Sequence, residues 1–190
     1  MPEANPPQPP SVLDHSNTYL FMGEVKTKTI YPLIDWVLSK NIEIAAMKPT
    51  KRPDHLRLII SSYGGDVADC FAAVDVLRGS AVPIHTHGIG GIASCGLTLF
   101  LCGSKRTLGP HAFLTSHQYS GGIDGKHHEQ LAERRAQDWT HDALITLYSE
   151  QTGQHKIWTE GAFFTPSDRH FSAQEAVDAG LAHGISQNFY

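Results

Sequence analysis

Three residues have the types that nucleophilic acyl transfer requires: a serine, a histidine and an aspartate, each near a local break in structure. Ser94 stands between Gly90-Gly91-Ile92-Ala93 and Cys95-Gly96, where an apolar strand gives way to a short apolar helix. Small neighbours let backbone approach a substrate closely, and the first amides of a helix, lacking intrahelical acceptors, can face a developing negative charge. The same serine also suits an ordinary helix cap, where Ser is a preferred residue. His117 follows the apolar run 112–116 and precedes Gln118-Tyr119, which places it at a strand's end. Asp168 falls in Thr165-Pro-Ser-Asp-Arg169, a loop ahead of a capped helix. Taken singly, such a histidine is commonly a surface or core residue and such an aspartate a turn former. Taken together they supply the base that removes a serine proton and the acid that orients the base. The arrangement is not the nucleophile elbow of α/β-hydrolases, which needs glycine where Ile92 stands and the chain order serine, acid, histidine.

The elements that must position these residues alternate between two periodicities. Thr18 to Met22 reads as a strand ending at Gly23. Ile30, Leu33, Ile34, Val37 and Leu38 form one helical stripe, with Pro32 expected in the helix's first turn. Leu56 to Ser61 is a compact apolar run, hence a buried strand. The loop Ser62-Tyr-Gly-Gly-Asp66 leads into a helix with the stripe Val67, Cys70, Phe71, Val74 and Leu77, stopped by Gly79. Val82 to His87 predicts another strand, followed by a glycine-rich loop over 88–96 and a short helix ending at Gly103. Ala112 to Ser116 is a strand. A glycine-bearing loop (Ser120 to Gly125) then precedes a long charged helix from about His127 to Thr152, stopped by Gly153. Ser172-Ala-Gln-Glu175 is a capping box that opens a last helix ending near Gly180. Strand–helix alternation of this kind predicts an α/β fold of βαβ units on a mostly parallel sheet, with functional groups on loops leaving the strands' carboxyl ends.

Composition narrows the function further. The formal net charge is −4, which gives no electrostatic footprint for nucleic acid or an anionic membrane. The stretch 79–104 lacks Asp, Glu, Lys and Arg, yet its glycines, Pro83, His85 and His87 suit buried strand and turn better than a lipid-spanning helix. The N-terminus lacks a signal-peptide pattern. Three cysteines (Cys70, Cys95 and Cys102) match no zinc-finger spacing and point to a reducing, cytoplasmic compartment. Cys70 and Cys102 fall on helix stripes. Cys95 could be suspected as the nucleophile, but its place after a helix-initiating serine favours packing. His85 and His87 share one strand face and His127-His128-Glu129 opens a helix, but no third ligand follows by spacing, so no metal is expected. Residues 1–15, with prolines at positions 2, 6, 7, 9 and 10, read as an extended mobile arm, and 16–190 as a single domain.

Several of these segments, in one order, resemble the proteolytic subunit of the Clp protease: Gly90-Gly-Ile-Ala-Ser94-Cys-Gly96, His117-Gln118 followed by Gly121-Gly122, Thr152-Gly153-Gln154, and Asp168-Arg through Gly180-Leu181. The resemblance runs from about Tyr19 to Ile185. It implies the fold that this family shares with crotonases, with a protruding handle helix (here about 118–152) by which heptameric rings stack into a closed chamber, a tetradecamer. Leu131, Trp139, Ala143, Leu144 and Leu147 would serve that interface; packing of the same helix on its own sheet is the alternative. It implies a serine endopeptidase acting on unfolded proteins or peptides, with Ser94 as nucleophile, His117 as general base, Asp168 as acid, and the backbone N–H groups of Gly65 and Cys95 as oxyanion donors. Tyr63, Gly64 and Gly65 would line the substrate, Tyr63 replacing the family's usual proline. It implies no cofactor on this chain, any ATP being used by a partner hexameric AAA+ unfoldase, although the family's N-terminal pore segment has no clear counterpart in the proline-rich arm. Two other readings stay open on the residues: a catalytically silent or regulatory ring subunit, and an acyl-CoA enzyme of the crotonase type.

Overall fold

Strands and helices follow one another as β1 (Thr18–Met22), α1 (Thr27–Ala46), β2 (Leu56–Ser62), α2 (Val67–Arg78), β3 (Ile84–Ala93), α3 (Cys95–Leu101), β4 (Lys105–Leu108), β5 (Phe113–Ser116), α4 (His127–Thr152), α5 (Lys156–Phe163), β6 (Arg169–Ser172), α6 (Ala173–Asp178) and β7 (Gly184–Ile185). The structure, a computed structural model, describes residues 16–122 and 125–188. The expected N-terminal arm, and Ile123-Asp124 of the glycine-bearing loop, lie outside the described residues.

The sheet runs β1-β2-β3-β4-β7, with β5 beside β3 and β6 beside β5. Every pairing is parallel except β5 with β6. The α/β expectation therefore holds, with a mostly parallel sheet. Leu56, Leu58 and Ile60 of β2 and Leu97, Leu99, Phe100 and Leu101 of α3 are fully buried and form the centre of one core. No helix among the described residues is long and apolar enough to cross a membrane.

The glycine-rich stretch is a correction to the sequence reading. Residues 88–93 are not a loop: β3 continues to Ala93 and only Ser94 turns. The strand needs this length because it has two successive neighbours on one side. His85–Gly88 pair with β4, and Gly91–Ala93 pair with β5. At Gly88 an added Cβ would displace the terminal methyl groups of the buried Ile92 and Leu108.

Pro32 is also displaced from expectation. Helix α1 starts at Thr27, so the proline sits in its second turn. The carbonyl it leaves unpaired is that of Lys28, and both residues are on the exposed face, where water can serve. Strands β4, β6 and β7 and helix α5 were not anticipated. In β4 the sequence Lys-Arg-Thr-Leu conceals its alternation because the inward residue opposite Leu108 in the pattern is a buried arginine, Arg106.

Arg106 earns its burial through neutral acceptors. Its guanidinium donates to the carbonyls of Leu181 (2.8 Å), Gln151 (2.8 Å), Gly180 (3.2 Å) and Gly103 (3.3 Å), and to Gln151 Oε1 (3.1 Å). It thus ties the last turns of α4 and α6 to the sheet. The helix stops are as read from sequence: Gly79 caps α2, Gly153 caps α4 in the left-handed region (φ 70°), and Ser172 with Glu175 form the capping box of α6.

Helix α4 divides in two. Leu144, Ile145, Leu147 and Tyr148 are buried on its own domain, whereas residues 127–136 are exposed. Of the apolar positions assigned to an interface, Leu144 and Leu147 pack internally. Leu131 and Trp139 are 55% and 65% exposed.

Candidate active site

Ser94 is the only non-glycine residue among those described with positive φ (52°, ψ −128°). For an L-residue this conformation costs of order 1–3 kcal/mol and persists only where the surroundings impose it. Three contacts do so. The Ser94 N–H donates to the Thr115 carbonyl of β5 at 3.2 Å, and the Ser94 carbonyl accepts from Thr98 N at 3.0 Å and Thr98 Oγ1 at 3.3 Å. On the third side lies Gly64, where an added Cβ would stand 2.7 Å from Ser94 Cβ and 3.0 Å from Cys95 N. The sharp turn is possible only because both flanks are glycine. A Cβ at Gly96 would strike the Ser62 carbonyl.

The 62–66 loop is held against the start of α1. Val25 N–H donates to Gly64 O and Asp66 N–H to Val25 O, each at 2.8 Å, while Asp66 Oδ1 caps α2 by accepting from Asp69 N–H (2.9 Å). This pattern skips Gly65, whose N–H has no carbonyl partner among the described residues. The Cys95 N–H, at the first position of α3, is likewise without an intrahelical acceptor. Two amides therefore flank the serine.

Ser94 and His117 line one cavity of about 70 Å³, together with Gly65, Cys95 and Thr98. Its apolar wall is Val67, Leu144, Tyr148 and Phe164. Tyr148 is packed on Phe164 (centroids 4.9 Å apart), and burial raises the pKa of its phenol above the ordinary value, so it remains neutral. His117 Nδ1 donates to the Gln118 carbonyl at 2.7 Å. A carbonyl can only accept, so Nδ1 is the donor in this contact, and in the neutral ring that tautomer puts the lone pair on Nε2.

Asp168 is exposed and forms no hydrogen bond among the described residues. Its backbone position is nonetheless close to the histidine's. In the antiparallel β5–β6 pair Ser116 is opposite Arg169, so His117 and Asp168 each adjoin the last paired residues. The Gln118 N–H donates to Thr165 O (3.0 Å), which holds the two loops together. The structure thus brings Ser94 and His117 to one cavity and leaves Asp168 beside them, outside its lining.

Of the loop residues, Gly65 lines the cavity and Gly64 supports Ser94 from behind. Tyr63 lies elsewhere: it is 70% exposed, its ring covers Gly91, and it faces Phe113 (centroids 6.4 Å apart). Cys95 is buried, with Sγ donating to Gly65 O at 3.4 Å. Its hydrogen bond with the Cys70 thiol lowers Cys95 and, with burial, raises Cys70 well above the usual thiol value. Thr98, Tyr148 and Phe164 escaped the sequence reading. Leu144 and Tyr148 share a face of α4 at i, i+4, a signal that was available, whereas nothing local marks Phe164.

A parallel α/β sheet, with a strained serine at a strand-to-helix turn and a histidine at the end of the adjoining strand, defines the class. The chain belongs to the Clp protease family, whose model matches residues 23–189. It is 34% identical over 144 residues to the ATP-dependent Clp protease proteolytic subunit 2 of Corynebacterium glutamicum, covering 75% of this chain and 69% of that one. It is 35% identical over 135 residues to the ATP-dependent Clp protease proteolytic subunit 1 of Chlamydia muridarum, covering 69% of each.

Proposed function

We propose that this chain is a serine endopeptidase in which Ser94 is the nucleophile, His117 the general base and Asp168 the orienting acid. The observation that carries the reading is the forced positive φ of Ser94 inside a cavity it shares with a histidine whose Nδ1 is oriented by a carbonyl. In the proposed reaction His117 Nε2 takes the Ser94 proton as Oγ attacks the peptide carbonyl. The N–H groups of Gly65 and Cys95 receive the oxyanion. The imidazolium then protonates the leaving amine, and water, deprotonated by the same nitrogen, hydrolyses the acyl-enzyme. The apolar wall of Val67, Leu144, Tyr148 and Phe164 suits an apolar side chain next to the cleaved bond.

The names of the relatives support an ATP-dependent partnership and a multi-subunit protease. We read the projecting half of α4, with Leu131 and Trp139 exposed, as the surface by which rings of this chain stack around a chamber, with an ATPase of the AAA+ class feeding it polypeptide. One observation favours a second reading, a catalytically silent ring subunit: His117 Nδ1 is engaged by Gln118 O and not by Asp168.

Intact-mass measurement after treatment with a fluorophosphonate separates the two. One adduct per chain, absent in Ser94→Ala, is expected. A parent chain that is folded and assembled by sedimentation yet acquires no adduct overturns the peptidase reading in favour of the silent subunit.

A further inference from the structure

Away from the serine, the more exposed side of the sheet carries a row of basic side chains across three strands. Arg57 of β2 pairs with His85 of β3, and His85 with Lys105 of β4, in direct register. Their side chains alternate with the buried Leu56, Leu58, Ile84, Thr86 and Arg106, so all three project to the same side. The His55 ring stacks on His85 with centroids 3.8 Å apart and an interplanar angle of 17°. These four residues, with Thr107 of the next row and Ser186 after β7, surround a cavity of about 240 Å³.

Among the described residues no carboxylate lines that cavity. Asp54, on the loop before β2, acts on His55 from outside it. Like charges directly opposite one another on neighbouring strands are destabilising, and here two permanent cations flank an imidazole. Burial first, then His55, Lys105 and Arg57, push His85 down to about 4. His55 is lowered by burial and by Arg57. Both rings are therefore neutral at pH 7 and each still offers an N–H. A ladder of this kind, unrelieved by any acid among the described residues of its lining, is complementary to an anion that spans two cations.

We propose that this cavity binds a phosphomonoester, its dianion held between Arg57 and Lys105 and its organic group against the stacked His55–His85 rings. Two fixed positive charges match a dianion with three terminal oxygens better than a monoanionic, planar carboxylate. The cavity is also larger than free phosphate needs, which leaves room for the ester group. The proposal is independent of the catalytic reading, because none of these residues touches the serine cavity.

The test is isothermal titration of the full chain at constant ionic strength with three probes: phenyl phosphate, inorganic phosphate and benzoate. Phenyl phosphate is expected to bind at one site per chain, inorganic phosphate more weakly, and benzoate at least ~10-fold more weakly. Arg57→Gln and Lys105→Gln are each expected to weaken phenyl phosphate by ~10-fold or more, and Lys51→Gln, at an exposed residue outside the cavity lining, to leave it unchanged. Lys105 is exposed, so its variant keeps the fold even if that of Arg57 does not. Absence of saturable binding, equal binding of benzoate, or undiminished binding by Lys105→Gln would overturn the proposal.

Discussion

Gly64→Ala tests whether the geometry at Ser94 governs reactivity. The new methyl group would stand 2.7 Å from Ser94 Cβ and 3.0 Å from Cys95 N. Carbon atoms in contact sit about 3.5–4.0 Å apart, so the serine must retreat by roughly 1 Å or the loop must. The loop is restrained by its two hydrogen bonds to Val25, and Ser94 already occupies a strained conformation, so the serine is expected to yield. A displacement of about 1 Å at a reacting group costs on the order of 10²-fold in rate. Alanine at φ 99° also adds backbone strain of about 1–3 kcal/mol. Gly153→Ala provides the control. Its φ of 70° imposes the same kind of strain, but an added Cβ there meets nothing within 4 Å. The assay is the second-order rate of fluorophosphonate labelling, with thermal unfolding measured in parallel. Both variants should melt below the parent, and only Gly64→Ala should lose labelling by about 100-fold. Labelling of folded Gly64→Ala within about twofold of Gly153→Ala, well inside the ~10²-fold expected, would refute the steric reasoning.

Asp168→Asn should slow labelling by at least ~100-fold, because the acid orients the imidazole and stabilises its cation. A rate near the parent's would mean that the Gln118 carbonyl performs the orienting alone. Arg106→Met removes donors from several buried carbonyls at once. With each buried unsatisfied group costing about 1–3 kcal/mol, it should lower stability in chemical denaturation by about 3 kcal/mol or more, and a change under 1 kcal/mol would contradict the bonding described. Because His85 is lowered from 6.5 to about 4, the unfolded chain binds more protons than the folded one between those values. Stability should therefore fall as pH drops from 6.5 towards 4. Replacing His85 with Gln should flatten that part of the pH–stability curve, and an unaltered slope would count against the shift.

Much of this protein is written locally. The helix stops at Gly79 and Gly153, the capping box at Ser172 and Glu175, and strands β1, β2 and β5 follow from spacing and cap chemistry, which act over a few residues. The same is true of the turn at Ser94, where small residues crowd a strand–helix junction. Other features depend on which strand becomes whose neighbour. The glycine run 88–93 looks like a loop in isolation, and it is strand because β4 and β5 successively pair with it. Strand β4 stayed hidden because Arg106, which pattern reading takes for a surface residue, is buried among carbonyls contributed from the far end of the chain. The approach of His117 to Ser94 is set by the parallel pairing of β3 with β5, and the placing of Asp168 next to the end of that strand by the antiparallel pairing of β5 with β6. The basic ladder of Arg57, His85 and Lys105 likewise exists only in the register of three strands. Residue types and turns are local properties of the chain, whereas register is a long-range property that only the packed sheet decides.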